Sequence, residues 1–252
     1  MTTVGARWCV AVLAAIAVVV PAVATAAVAP GIVGGDVVDI ADAPWMVALV
    51  DQQGHPFCDG VLIAPGSVVT AAHCVGGRTA DGIQVLGGRT DLGQVTPGDT
   101  VTTVDSIAVE PGFLAAQRGA DIAVLTLTND VPYRPLPIAA DTSYRPGTMG
   151  TVLGWGRLGQ AGPDTTVMHG VRVPIVPEAT CRKLYDTFVT GTAYDPNAMF
   201  CAGYLTPPGR DACQGDGGGP LVVDGRLAGI VSWSIGCGHY PSFYTKVTTY
   251  LG

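Results

Sequence analysis

Three separated segments of this chain carry residue types that can do chemistry together. Thr70-Ala71-Ala72-His73-Cys74 offers an imidazole, and Asp121-Ile122-Ala123-Val124-Leu125 offers a carboxylate at the start of an apolar run. Asp211-Ala212-Cys213-Gln214-Gly215-Asp216-Gly217-Gly218-Gly219-Pro220 adds a glycine-rich loop with two acids. An imidazole whose tautomer is fixed by a carboxylate works as a general base near neutral pH. It needs a hydroxyl or thiol to activate. Gly217 stands where the residues around it call for a nucleophilic serine, and glycine has no Oγ. The three segments read as a hydrolytic triad without its nucleophile.

The elements that must hold these residues are short strands. Apolar, β-rich runs occur at 46–50, 60–63, 68–72, 83–86, 101–109 and 122–127, with turn residues between them. The Pro-rich stretch Val131-Pro132-Tyr133-Arg134-Pro135-Leu136-Pro137 divides two halves. The second half repeats the style at 151–155, 171–176, 221–223, 230–233 and 243–247, and one short helix is expected over 177–188. With 35 glycines and 19 prolines spread through the chain, the pattern predicts an all-β protein of two similar antiparallel barrels or sandwiches.

Residues 1–26 read as a secretory signal peptide: Arg7, an apolar run from Trp8 to Val20, Pro21, then small residues at Ala22-Val23-Ala24. The apolar run is too short to span a bilayer. Removing this leader removes Cys9 and leaves Cys58, Cys74, Cys181, Cys201, Cys213 and Cys237, an even number that reads as disulfides in a secreted chain. Spacing alone does not choose among the 15 connectivities open to six cysteines. The net charge of −7 is not clustered and excludes a nucleic-acid partner.

Together with Ile32-Val33-Gly34-Gly35, Gly154-Trp155-Gly156 and Ser232-Trp233-Ser234, the three segments resemble the trypsin/chymotrypsin family of serine proteases, in order and spacing, over essentially all of 32–252. The resemblance implies two six-stranded antiparallel β-barrels, about 32–138 and 139–252, with the active-site cleft between them and a short propeptide at 27–31. His73 matches the family's general base and Asp121 the carboxylate that orients it. Gly217 matches the nucleophile position, so no acyl-enzyme can form there. Gly215 and Gly217 match the backbone donors of the oxyanion hole, which survive a Ser-to-Gly change. Ile32 and Asp216 match the activation ion pair, although Ala29-Pro30-Gly31 lacks the basic residue that trypsin-like activators cut after. The implied disulfides are Cys58–Cys74, Cys181–Cys201 and Cys213–Cys237.

Asp211 matches the pocket-floor acid that selects Arg or Lys. Gln214, Ser232, Trp233, Ser234 and Ser242 belong to the substrate-binding set. Ser234 and Ser242 replace wall glycines and narrow the slot. The family's closing helix is reduced here to Tyr250-Leu251-Gly252. No metal or cofactor is expected, because the loop over 92–100 lacks paired glutamates and His55, His169 and His239 have no ligand-spaced partner. The expectation is a secreted protease homologue, catalytically impaired, that binds a protein or peptide ligand between its barrels. The alternative is an active endopeptidase, cutting after Arg or Lys, in which His73 activates water directly or the glycine is not native.

Overall fold

The computed structural model describes residues 1, 2, 5, 31–140 and 144–252. The expected leader and all but the last residue of the expected propeptide lie outside the described part of the chain. The described residues form thirteen strands, all antiparallel within their sheets. In the first half they are β1 (Asp36–Val37), β2 (Met46–Val50), β3 (Pro56–Ala64), β4 (Ser67–Thr70), β5 (Gln84–Gly87), β6 (Thr100–Val109) and β7 (Ala123–Leu127). In the second half they are β8 (Met149–Gly154), β9 (His169–Pro174), β10 (Met199–Ala202), β11 (Pro220–Val223), β12 (Arg226–Trp233) and β13 (Ser242–Lys246).

Strands β2 to β7 close a barrel in the order β2-β3-β4-β7-β6-β5. The closure follows from alternation and bulges. On β6, Thr102 and Val104 point inward while Val101 and Thr103 do not. Register shifts at Leu62/Ala64 and Val104/Ser106 bend the strands so that the sheet can meet itself. Met46, Leu49, Val61, Leu62, Val69 and Leu125 are buried in one apolar cluster that runs from this barrel to Leu153, Leu227 and Ile230 of the second half.

The second half has six strands, β8 to β13, whose ends meet through a single bridge rather than a continuous ladder. The two-residue β1, added at one edge, completes a seven-stranded sheet in the order β1-β9-β8-β11-β12-β13-β10. One bridge joins Ile175 to Ala202, and two hydrogen bonds flank it: Val176 N–H to Cys201 O (3.0 Å) and Gly203 N–H to Pro174 O (3.0 Å). Pro174 and Pro177 have no N–H to extend this pairing. The strand β10 escaped sequence reading because Met199-Phe200-Cys201-Ala202 is a four-residue apolar run with no alternation.

The expected helix is present as Glu178–Phe188, with Pro177 preceding it, and a second short helix covers Val247–Leu251. The Pro-rich divider is a strap rather than a free linker. Val131 and Leu136 donate to Pro65 O and Leu62 O (2.9 Å each), and Pro137 O accepts from Leu227 N (2.8 Å). It thereby ties β3 to β12. The disulfides are Cys58–Cys74, Cys181–Cys201 and Cys213–Cys237. No described helix is long and apolar enough to cross a membrane.

A separate apolar cluster supports the strands behind the cleft. Phe243, fully buried, stacks on Trp233 with ring centroids 4.1 Å apart, and Tyr185 meets both rings edge-on. Phe243→Ala should lower unfolding free energy by about 3–5 kcal/mol, the cost of an aromatic cavity that cannot collapse. Urea denaturation measures this, and a loss below about 1 kcal/mol would show that the cluster is not a structural anchor.

Candidate active site

His73 sits on a four-residue helical turn, Ala72–Val75, reached from β4 and tied to β3 by the Cys58–Cys74 disulfide. Asp121 precedes β7, the strand paired with β4, so the barrel ladder brings the two together. The Asp121 carboxylate is fully buried and holds His73 twice. Oδ1 accepts the His73 backbone N–H and Oδ2 meets Nδ1, each at 2.8 Å. Oδ2 also accepts the Ser232 hydroxyl at 2.5 Å, and the Asp121 carbonyl accepts the Thr245 hydroxyl at 2.8 Å. Ser232 and Thr245 come from β12 and β13, so Asp121 joins the two halves as well as orienting the ring. With Nδ1 engaged by Asp121, Nε2 is the ring nitrogen left facing the cleft, 3.6 Å from Cys74 Sγ.

Nε2 faces Gly217. A Cβ built at Gly217 would lie 2.8 Å from Nε2, 3.2 Å from Cε1 and 3.5 Å from Cys58 Sγ. The backbone at 217 does not demand glycine, since its φ is not positive. Gly215 (φ 99°) and Gly218 (φ 82°) do occupy the left-handed region. At Gly218 a Cβ would also strike Thr70 Oγ1 and the Asp59 carbonyl. Of this glycine run, Gly217 and Gly219 both lack a left-handed φ, and Gly217 is the one that faces the partly exposed imidazole. Among the described residues, the N–H groups of Gly215 and Gly217 donate to no protein acceptor, whereas those of Asp216, Gly218 and Gly219 do.

His73, Gln214, Gly215, Gly217, Ser232, Trp233 and Ser234 share the lining of one cavity of about 340 Å³. Asp211 and Ser242 do not line it. They lie behind it, 1% and 0% exposed. The Ser242 hydroxyl donates to Asp211 Oδ2 (2.7 Å), and the Ala212 N–H donates to Oδ1 (2.8 Å). Burial pushes the Asp211 carboxyl up to about 8, against the lowering effect of the Ser242 bond. At neutral pH it is largely protonated, and the cavity is not floored by a full negative charge.

Ile32 is fully buried among the apolar side chains of the second half, and Val33 bridges to Asp211. Ile32 is joined to Gly31, so it carries no ammonium. Its φ of 35° is a torsion that β-branched residues avoid, and freeing its amino group would release that torsion. The Asp216 carboxylate instead accepts the N–H groups of Gly156 and Cys213, each at 2.7 Å.

Sequence reasoning missed one buried acid, Asp59 on β3, which is 2% exposed. Its signal was an acid inside the apolar run Phe57-Cys58-Asp59-Gly60-Val61-Leu62. Cys58, His73 and Cys74 also lie close enough to suggest a metal site, but both sulfurs are consumed in a disulfide.

An imidazole held by a buried carboxylate, at the seam of two antiparallel β units, defines a His–Asp hydrolase scaffold. The family model described as Trypsin matches residues 32–252, and the chain belongs to the trypsin family. A trypsin of Saccharopolyspora erythraea is 41% identical over 224 residues, covering 87% of this chain and 94% of that protein. A tryptase of Mus musculus is 40% identical (88% and 86% covered), and a vitellin-degrading protease of Bombyx mori is 37% identical (86% and 81% covered).

Because the folded Asp211 carboxyl is raised, its contribution to stability is complete below the ordinary carboxylate range and is lost as pH rises toward about 8. Asp211→Asn should therefore flatten the fall in melting temperature between about pH 4 and 8, where about 4 is the ordinary aspartate value. An unchanged pH profile in that variant would contradict a buried, protonated Asp211.

Proposed function

We propose that this chain is a secreted trypsin-family protein whose peptidase turnover has been lost through Gly217, and that it acts by binding a protein or peptide in the cleft between its halves. The observation that carries this reading is that Gly217, whose Cβ position would lie 2.8 Å from His73 Nε2, presents no side-chain atom to that nitrogen. A hydroxymethyl group on that backbone would be the nucleophile. Without Oγ there is no atom for His73 to deprotonate and no acyl-enzyme. Removing the serine from a serine protease costs about 10⁶-fold in turnover, which is about 8 kcal/mol of barrier. His73 keeps the position of the base, Asp121 that of its orienting acid, and the unpaired amides of Gly215 and Gly217 those of oxyanion donors. Asp216 is assigned as the receptor for an ammonium freed at Ile32.

The bound segment lies against Gln214, Ser232, Trp233 and Ser234. An uncharged side chain suits this cavity better than a basic one. A guanidinium or ammonium would have to draw the proton off Asp211 and displace the Ser242 hydroxyl. The three disulfides and the apolar leader sequence support secretion.

Gly217→Ser, cleaved before Ile32, should raise hydrolysis of small peptide esters by about 10³-fold or more over the parent. The His73 ring must give slightly to admit the new Cβ, so recovery should fall short of a fully active relative. Peptide affinity should change little, because the glycine supplies only its amide to binding. A variant that stays at the parent's level would contradict the assignment of Gly217 as the single silencing position.

A further inference from the structure

Asp59 has no part in the reading above, yet it is buried where an acid is costly. Its backbone is pinned on both sides. The N–H donates to Gly217 O at 2.8 Å, and the carbonyl accepts the Thr70 hydroxyl at 2.7 Å. Its side chain points at Asp216. A Cβ on Gly154 would collide with Asp59 Oδ2 and Asp216 Oδ1 at once, so the two carboxyls crowd the same spot from β3 and from the glycine-rich loop.

Their partners differ. Asp216 has two short N–H donors, which suit a carboxylate. Asp59 has one long one, from Trp155 N at 3.3 Å. Neither carboxyl enters an ion pair among the described residues. The other titratable groups facing this pocket are Asp211 from the same loop and Tyr244 from β13, and neither supplies a positive charge. Two buried carboxyls that crowd one spot without a cation resist being ionised together.

We propose that Asp59 and Asp216 form a proton-sharing carboxyl pair that clamps the loop Cys213–Gly219 against the first barrel, making the order of Gly215 and Gly217 depend on pH. Asp59 is a positioning residue in this device. The proton resides mainly on Asp59, and Asp216 keeps its two amide donors. Desolvation and the Asp216 charge hold Asp59 well above the ordinary carboxylate range, and burial raises Asp216 to about 7. The closed loop thus retains a proton that a solvated, open pair would give up near 4, the ordinary aspartate value. Closure is strongest in acid and weakens as pH rises past the ordinary aspartate value, because the closed loop keeps the Asp59 proton. A buried cation would take the proton's place. If that cation is the ammonium freed at Ile32, its docking releases the proton and strengthens with pH. This last step rests on the activation reading above, whereas the proton sharing does not.

The test is carboxyl carbon NMR of the intact chain with labelled aspartate, beside amide exchange of residues 213–219. Asp59 and Asp216 should titrate together in the same two steps, with the upper step well above about 4, the ordinary aspartate value. Two independent single-step curves, or full ionisation of both by pH 5, would overturn the proposal. Corrected for the intrinsic pH dependence of exchange, opening of the loop should rise by about tenfold per pH unit between pH 5 and 7, the slope for one retained proton. Asp59→Asn keeps the shape and cannot share a proton, so it should remove that slope while leaving the barrel amides protected. A variant that loosens the loop equally at every pH would mark Asp59 as merely structural and overturn the proposal. The titration on the unmodified chain decides the matter if the variant does not fold.

Discussion

The arrangement of the site depends on one buried carboxylate. Asp121 accepts hydrogen bonds from the backbone and ring of His73 in the first barrel and from Ser232 in the second sheet. Its carbonyl takes Thr245 as well. A carboxylate with no exposure is tolerated only when its lone pairs are filled. Here the groups that fill them come from both halves of the molecule. The same interaction therefore registers one β unit on the other, fixes which imidazole nitrogen faces the cleft, and aims that nitrogen at Gly217.

The glycine loop opposite is constrained position by position. Gly215 and Gly218 need their left-handed torsions, and a Cβ at Gly219 would press to 2.8 Å on Leu153 O. Gly217 is under no such torsional demand, and the neighbours a side chain would meet are the edge of an imidazole and a disulfide sulfur. A glycine at 217 offers the cleft its backbone amide and no side chain. Behind the cavity, the Ser242 hydroxyl donates to Asp211, whose carboxyl burial raises to about 8.

Much of this was legible in the sequence because local pattern and distant chemistry agreed. The runs at 68–72 and 122–127 concentrate apolar residues strongly enough to mark the strands next to His73 and Asp121, whereas the pairing of those two strands needed coordinates. The helix at Glu178–Phe188 showed its amphipathic period. What the sequence hid depends on tertiary placement. The strand Met199–Ala202 is too short and too uniformly apolar to announce itself. The second sheet fails to form a continuous closed ladder where prolines interrupt donors, a property of pairing rather than of composition. Asp59 looked like one acid in an apolar stretch, and only the approach of Asp216 gives it meaning. Ser242 was identified as narrowing the pocket, but its bond to Asp211, and the neutrality that burial imposes on that acid, needed coordinates.

The central claim is that His73 is oriented as a base with nothing to activate. The most direct measurement is ester and amide turnover by the unmodified protein, with its N-terminus shown to begin at Ile32, alongside His73→Ala. The account predicts turnover at background level in both and no difference between them. Robust turnover that vanishes in His73→Ala would contradict it, because the imidazole would then be activating water without a serine.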